Sequence, residues 1–137
     1  MTNLLTNTMT DAEIKALLEQ ETEGHLATKN PDNTPYCVAL NYRMVDGMVV
    51  LHCAKAGHKI DNINNDNNVC FSVHQGNKCV IMHGKVRFVE DYEEKYRLLY
   101  IFTQIAMDGE DFTMPEAAVN RTCVPVIEVE KTVGITF

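Results

Sequence analysis

Between residues 25 and 89 short apolar runs follow one another through turn signals, with no helix long enough to return one strand parallel to the last. Parallel neighbours need a crossover of roughly a dozen residues or more, whereas antiparallel neighbours need only a tight turn. Residues 25–29 close on Asn30-Pro31-Asp32-Asn33, and 35–44 read as a longer strand. Asp46-Gly47, a hairpin dipeptide, leads into 48–53. Residues 54–68 break the pattern with Ala56-Gly57, a short helical turn bearing Ile60 and Ile63, and an Asn-rich loop. Residues 69–74 then turn through Gln75-Gly76-Asn77 into 79–89, and 123–129 resume a strand that can run on to Phe137. Such a series predicts a mainly β (α+β) fold, a barrel of about six antiparallel strands with flanking helices.

Two helices flank the series. Thr10 with Glu13 forms a capping box that opens a helix over 11–23, with Ile14, Leu17 and Leu18 inward and Gly24 as its stop. Asp91 with Glu94 repeats the device before 92–107, where Tyr96, Leu99, Tyr100, Phe102 and Ile105 are inward or interface positions. Residues 108–121 fit a loop or a further short helix.

The chain has 137 residues, 45% of them hydrophobic, enough for a single domain spanning 1–137 with a core that needs no staples. No apolar run approaches the roughly 18 residues of a membrane span, and residues 1–10 lack the basic-then-apolar pattern of a secretory signal. A cytoplasmic protein without membrane partners is expected. A net charge of −7 with no basic run makes nucleic acid a poor partner. Five cysteines, an odd number without a CxxC pair, point to reduced thiols rather than a disulfide framework.

The segment His52-Cys53-Ala54-Lys55-Ala56-Gly57-His58-Lys59 carries the clearest chemistry. A strand ends, a glycine turns the backbone, and His58 and Lys59 lead into a helix. Backbone N–H groups there can hold an anion, with Lys59 supplying a full charge and His58 a further donor. The same residues also read as a basic exposed turn. His52, Cys53, His58, His74, Cys79 and His83 have none of the paired spacings of a zinc site, so no metal is expected. Cys53 or Cys79 beside a histidine fits strand packing better than a nucleophile. Walker, dinucleotide-binding and Gly-x-Ser-x-Gly motifs are absent from the sequence.

In order and spacing the chain resembles the flavin-binding split barrels related to pyridoxamine 5′-phosphate oxidase, nearest the branch of the 5-nitroimidazole-resistance proteins. The resemblance is carried by Gly24-His25-Leu26-Ala27-Thr28, Pro35-Tyr36-Cys37-Val38-Ala39-Leu40-Asn41-Tyr42, Asp46-Gly47, Leu51-His52-Cys53-Ala54 and Gly57-His58-Lys59. Val69-Cys70-Phe71 and Cys79-Val80-Ile81-Met82-His83-Gly84-Lys85-Val86 complete it, over roughly residues 14–100. It implies a split-barrel homodimer with FMN in a groove at each subunit interface. Val38, Ala39, Leu40 and Asn41 would present backbone groups to the isoalloxazine edge. His52, Cys53, Gly57, His58 and Lys59 would hold the ribityl phosphate, and Cys79 would come from the second subunit. His52 also matches a histidine near the flavin in that branch, which makes it a candidate proton donor, or else a residue that orders the cofactor.

The turn Gly57-His58-Lys59 departs from the Ser-Arg-Lys-like turn of the oxidase itself, and the sequence ends at Phe137 without the Arg- and Trp-bearing tail. The resemblance therefore implies an FMN-dependent oxidoreductase acting on a small (nitro)aromatic molecule rather than on pyridoxamine phosphate. Two alternatives stand beside it. One is a non-catalytic flavin-binding or storage protein. The other is a split barrel holding a deazaflavin or haem, with His25, His52, His74 or His83 as axial ligand.

Overall fold

The computed structural model describes residues 7–137, apart from the side chains of residues 7, 105 and 106. Ile105 as an inward position, and the reading of the first ten residues up to position 6, lie outside the described residues. In chain order the elements are β1 (Asn7–Thr8), α1 (Asp11–Gln20), β2 (Glu23–Lys29), β3 (Pro35–Asn41), β4 (Arg43–Val45), β5 (Met48–Val50) and β6 (Cys53–Ala54). There follow α2 (His58–Asn65), β7 (Asn68–Gln75), β8 (Lys78–Phe88), α3 (Tyr92–Ala106), α4 (Glu116–Arg121), β9 (Thr122–Cys123) and β10 (Pro125–Thr136). Among the described residues no helix is long and apolar enough to cross a membrane.

The large sheet runs β3-β2-β7-β8-β10-β5-β4, with β1 on β10, and every pairing is antiparallel. Its two end strands, β3 and β4, are consecutive in the chain and joined through Tyr42, so the sheet curls back on itself as a split β-barrel. Among the described residues this sheet holds eight strands where about six were expected, because the 35–44 run is split into β3 and β4 and β1 adds a strand on β10. The 35–44 run breaks at Tyr42, and the 48–53 run breaks at Leu51-His52 before the separate β6–β9 pair. Tyr42 marks the first break. Its ring is fully buried against Phe71, its hydroxyl donates to the Leu18 carbonyl at 2.7 Å, and its N–H donates to the Thr22 carbonyl. These contacts fix Tyr42 at the junction, where its N–H closes the last bond toward β2 before the chain passes into β4.

Leu26, Tyr42, Val49, Leu51, Phe71 and Met82 fill the barrel, and α1 closes one end with Leu17 and Leu18. A second core lies outside it, where Leu98, Leu99 and Phe102 of α3 and Val119 of α4 cover Val45, Val50 and Val126. The capping box at Thr10 forms in both directions. The second forms by half. The Glu94 N–H donates to Asp91, but the Glu94 carboxylate turns away to pair with Arg87 at 3.0 Å. Gly24 does not stop α1, which ends at Gln20. It lies within β2, where a Cβ would collide with the Phe71 ring, so its absent side chain makes room for the barrel's largest apolar ring. Residues 108–121 combine both expected forms. A loop folds onto α3 through Tyr100–Asp111 and Tyr96–Met114 hydrogen bonds, and α4 follows.

Candidate functional site

Among the described residues β3 pairs with β2 alone, so its other edge is open. Hydrogen-bonded pairs alternate along an antiparallel ladder. The Asn30 N–H donates to the Thr34 carbonyl and the Tyr42 N–H to the Thr22 carbonyl, which fixes the phase. Tyr36, Val38 and Leu40 therefore spend their backbone groups on β2, while Cys37, Ala39 and Asn41 direct theirs to the open edge. Of the four predicted edge residues, Val38 and Leu40 instead pack their side chains against the barrel core. Ala39 and Asn41 remain at the edge, joined by Cys37, which sequence reasoning did not assign there.

Gly57 caps α2 at φ +144°, a conformation that glycine alone adopts without strain, and it contributes no side-chain cap. The first intrahelical bond runs from the Asp61 N–H to the Gly57 carbonyl, so the His58, Lys59 and Ile60 N–H groups have no acceptor within the helix. His58 does not offer its Nε2 to this end. That atom lies 2.6 Å from Asn30 Oδ1, and the ring stacks on Tyr36 at 4.0 Å. Asn62, buried in the same helix, adds hydrogen bonds to Thr28 and Asn30. Together these contacts hold the uncapped start of α2 against Tyr36 of β3 and the turn that follows β2. The sequence marked Asn30 only as a turn residue and Tyr36 only within the resembling strand, neither as part of a site.

His52 lies exposed between β5 and β6, its ring edge-on to Phe102 at 4.4 Å. Arg43 places its guanidinium over the same Phe102 ring, 4.8 Å from the centroid. Partial burial, with the Arg43 charge beside it, holds the His52 pKa below the ordinary histidine value. Arg43 donates from Nη1 to the Tyr42 carbonyl, while its buried Nε has no hydrogen-bond partner among the described residues. A lone arginine inside an apolar run was the available sequence signal for this residue.

Cys53 faces Cys123 across the β6–β9 pair, and Lys59 is near enough that its charge favours the Cys53 thiolate. Cys79 stands apart. It opens β8 on the outer face of the sheet, opposite His74 and Ile135. The chain thus gathers His52 and Arg43 around Phe102 and sets Lys59 near Cys53, with Asn41 two residues before Arg43, and leaves Cys79 elsewhere. Among the described residues no three His, Cys, Asp or Glu side chains converge as metal ligands.

An open row of backbone donors and an uncapped helix start with a lysine suit a planar, carbonyl-bearing ring attached to a phosphate. Comparison with known proteins agrees. A family model described as pyridoxamine 5′-phosphate oxidase matches residues 10–119. A candidate 5-nitroimidazole antibiotic resistance protein of Bacteroides thetaiotaomicron VPI-5482 superposes with a TM-score of 0.85 at 24% identity, over 95% of this chain and 86% of that one. A FAD-binding protein of Mesorhizobium loti gives 0.75 at 21% identity, over 98% and 99% of the two chains. The flavocytochrome Anf3 of Azotobacter vinelandii gives 0.77 at 14% identity, over 96% and 68%. The search of curated proteins found no match. With the family match running over most of its length and the split barrel in place, the chain belongs to the pyridoxamine 5′-phosphate oxidase family of flavin-binding split barrels.

Proposed function

We propose that this protein is an FMN-dependent oxidoreductase that reduces a small (nitro)aromatic molecule, working as a homodimer with one FMN at each subunit interface. The observation that carries this reading is the His58–Tyr36 stack, which sets the uncapped start of α2 against β3, the strand with an open edge. Ala39 and Asn41 N–H groups would meet the acceptor edge of the isoalloxazine, with the positive charge of Arg43 nearby. Lys59 and the first amides of α2 would hold the phosphate. Bound FMN supplies hydride and electron transfer, and the protein supplies position and electrostatics. The likeness to a candidate nitroimidazole-resistance protein supports the substrate class.

His52 contributes a ring that is neutral near pH 7, since its proton is held more loosely than usual. In that form it orients the bound molecules through its N–H. On protonation it becomes a proton donor beside Phe102.

The dimer reading draws on the outer face of the sheet. Ala39, His25, Ser72, Ile81 and Val133 form one cross-strand row, and Val133 is 36% exposed. Small and apolar side chains spread over an open sheet face are suited to cover by a second copy. Cys79 on that face would reach the partner's flavin. Turnover of a nitroaromatic by the FMN-loaded protein with a chemical reductant tests the activity. Saturable FMN binding without turnover would make it a flavin carrier instead.

A further inference from the structure

We propose that Cys53 and Cys123 are a cross-strand dithiol that a peroxide oxidises to an intramolecular disulfide. The two residues are direct Cα partners in the two-stranded β6–β9 sheet, and all five cysteines are free thiols. Residues directly opposed in an antiparallel pair lie about 4.5–5.5 Å apart at Cα, within the roughly 4.4–6.8 Å that a disulfide spans. No other two cysteines meet this condition. Cys37 and Cys70 flank Ala27 from opposite sides, two strand spacings apart, or about 9–10 Å. Cys79 is registered with His74, four residues along β7 from Cys70.

The surroundings divide the labour between the two sulfurs. The hydrogen bond from Cys123 brings the Cys53 thiol down to about 7, with the Lys59 charge helping and partial burial opposing. The same hydrogen bond, with burial, pushes Cys123 up, so it remains a thiol. Cys123 also lines a cavity of about 240 Å³ with Lys55, Glu90, Lys95 and Thr122. Cys53 does not line that cavity; it is itself partly exposed, so peroxide reaches its sulfur from solvent.

In the first step the Cys53 thiolate attacks one peroxide oxygen. The O–O bond breaks, hydroxide leaves and takes a proton to become water, and Cys53 becomes a sulfenic acid. In the second, Cys123 attacks the Cys53 sulfur as it gives up its proton. The S–O bond breaks, and a second water departs. Two thiols lose two electrons and two hydrogens, and one peroxide becomes two waters. The product ties the turn leading to Gly57 to the strand that follows α4. None of this requires a bound flavin.

The test treats the full-length reduced protein with stoichiometric hydrogen peroxide, then alkylates it denatured and maps it without reductant. The expected result is three alkylated cysteines instead of five, with a linked tryptic pair joining residues 44–55 to 122–131 within one chain. Cys123→Ser should lose the link and leave Cys53 as a sulfenic acid trapped by dimedone. Cys53→Ser should lose both, with peroxide consumption at pH 7 slowed on the order of tenfold. Five alkylated cysteines after peroxide, a link between other cysteines, or a link between chains would each overturn the proposal.

Discussion

Lys59 and His52 lie on either side of Cys53 in the sequence, yet the account gives them separable effects. Lys59 is partly exposed at the start of α2, so its removal should leave folding intact and cost the charge-assisted contact to phosphate, about 1.5–3 kcal/mol. Lys59→Ala should therefore weaken FMN binding roughly 10- to 100-fold in a fluorescence titration, with an unchanged melting temperature. His52→Ala should keep FMN bound and lower turnover. Burial and the Arg43 charge disfavour its imidazolium, so its protonated form accumulates only below the ordinary histidine range. If donation from that form limits the rate, turnover should rise as pH falls through this lowered pKa, and the rise should vanish in His52→Ala. A pH-independent ratio of wild type to variant would assign His52 to cofactor ordering alone. At this scale the sequence was legible where a motif existed, as at Gly57-His58-Lys59. It was not legible at Arg43 Nε, because a missing partner leaves no mark in a single chain.

Elements decide where those residues stand. Tyr42 is the hinge between β3 and β4, and its phenol, pushed up to about 12 chiefly by burial, stays a neutral donor to Leu18. Tyr42→Phe leaves that buried carbonyl one bond short, at a cost of about 1–3 kcal/mol, and chemical denaturation should show a lower midpoint at unchanged slope. Gly57→Ala places a side chain at φ +144°, where nothing crowds it but the backbone itself is strained, by about 1–3 kcal/mol. That variant should lose stability and FMN affinity together, measurable by thermal melting and titration. Turn chemistry made the hairpins legible: Asp46 and Gly47 both take positive φ in the β4–β5 turn. The breaks at Tyr42 and Leu51-His52 were not legible, because neither carries a turn dipeptide such as Asp46-Gly47, and the bend belongs to the curvature of the closed sheet. Gly24 was misread for a related reason. A glycine after a helix suggests a stop, and only the packed Phe71 ring gives its actual use.

For the whole molecule, antiparallel order was readable from the absence of crossover helices, and the curled sheet bears it out. Which sheet face a second copy covers was not readable, since it depends on strands far apart in the chain sharing a row. The account expects a species of twice 15.5 kDa in analytical ultracentrifugation. Ile81→Asp, beside Val133 on the outer face, should shift it to monomer and release FMN, while the barrel keeps its circular dichroism spectrum. The central claim is that the β3 edge and the start of α2 together form a flavin site. Titrating the full-length protein with FMN, while following flavin fluorescence and visible absorption, tests it most directly. The account predicts saturable quenching at one FMN per chain with perturbed flavin bands. A folded protein that leaves FMN fluorescence and absorption unchanged would contradict it.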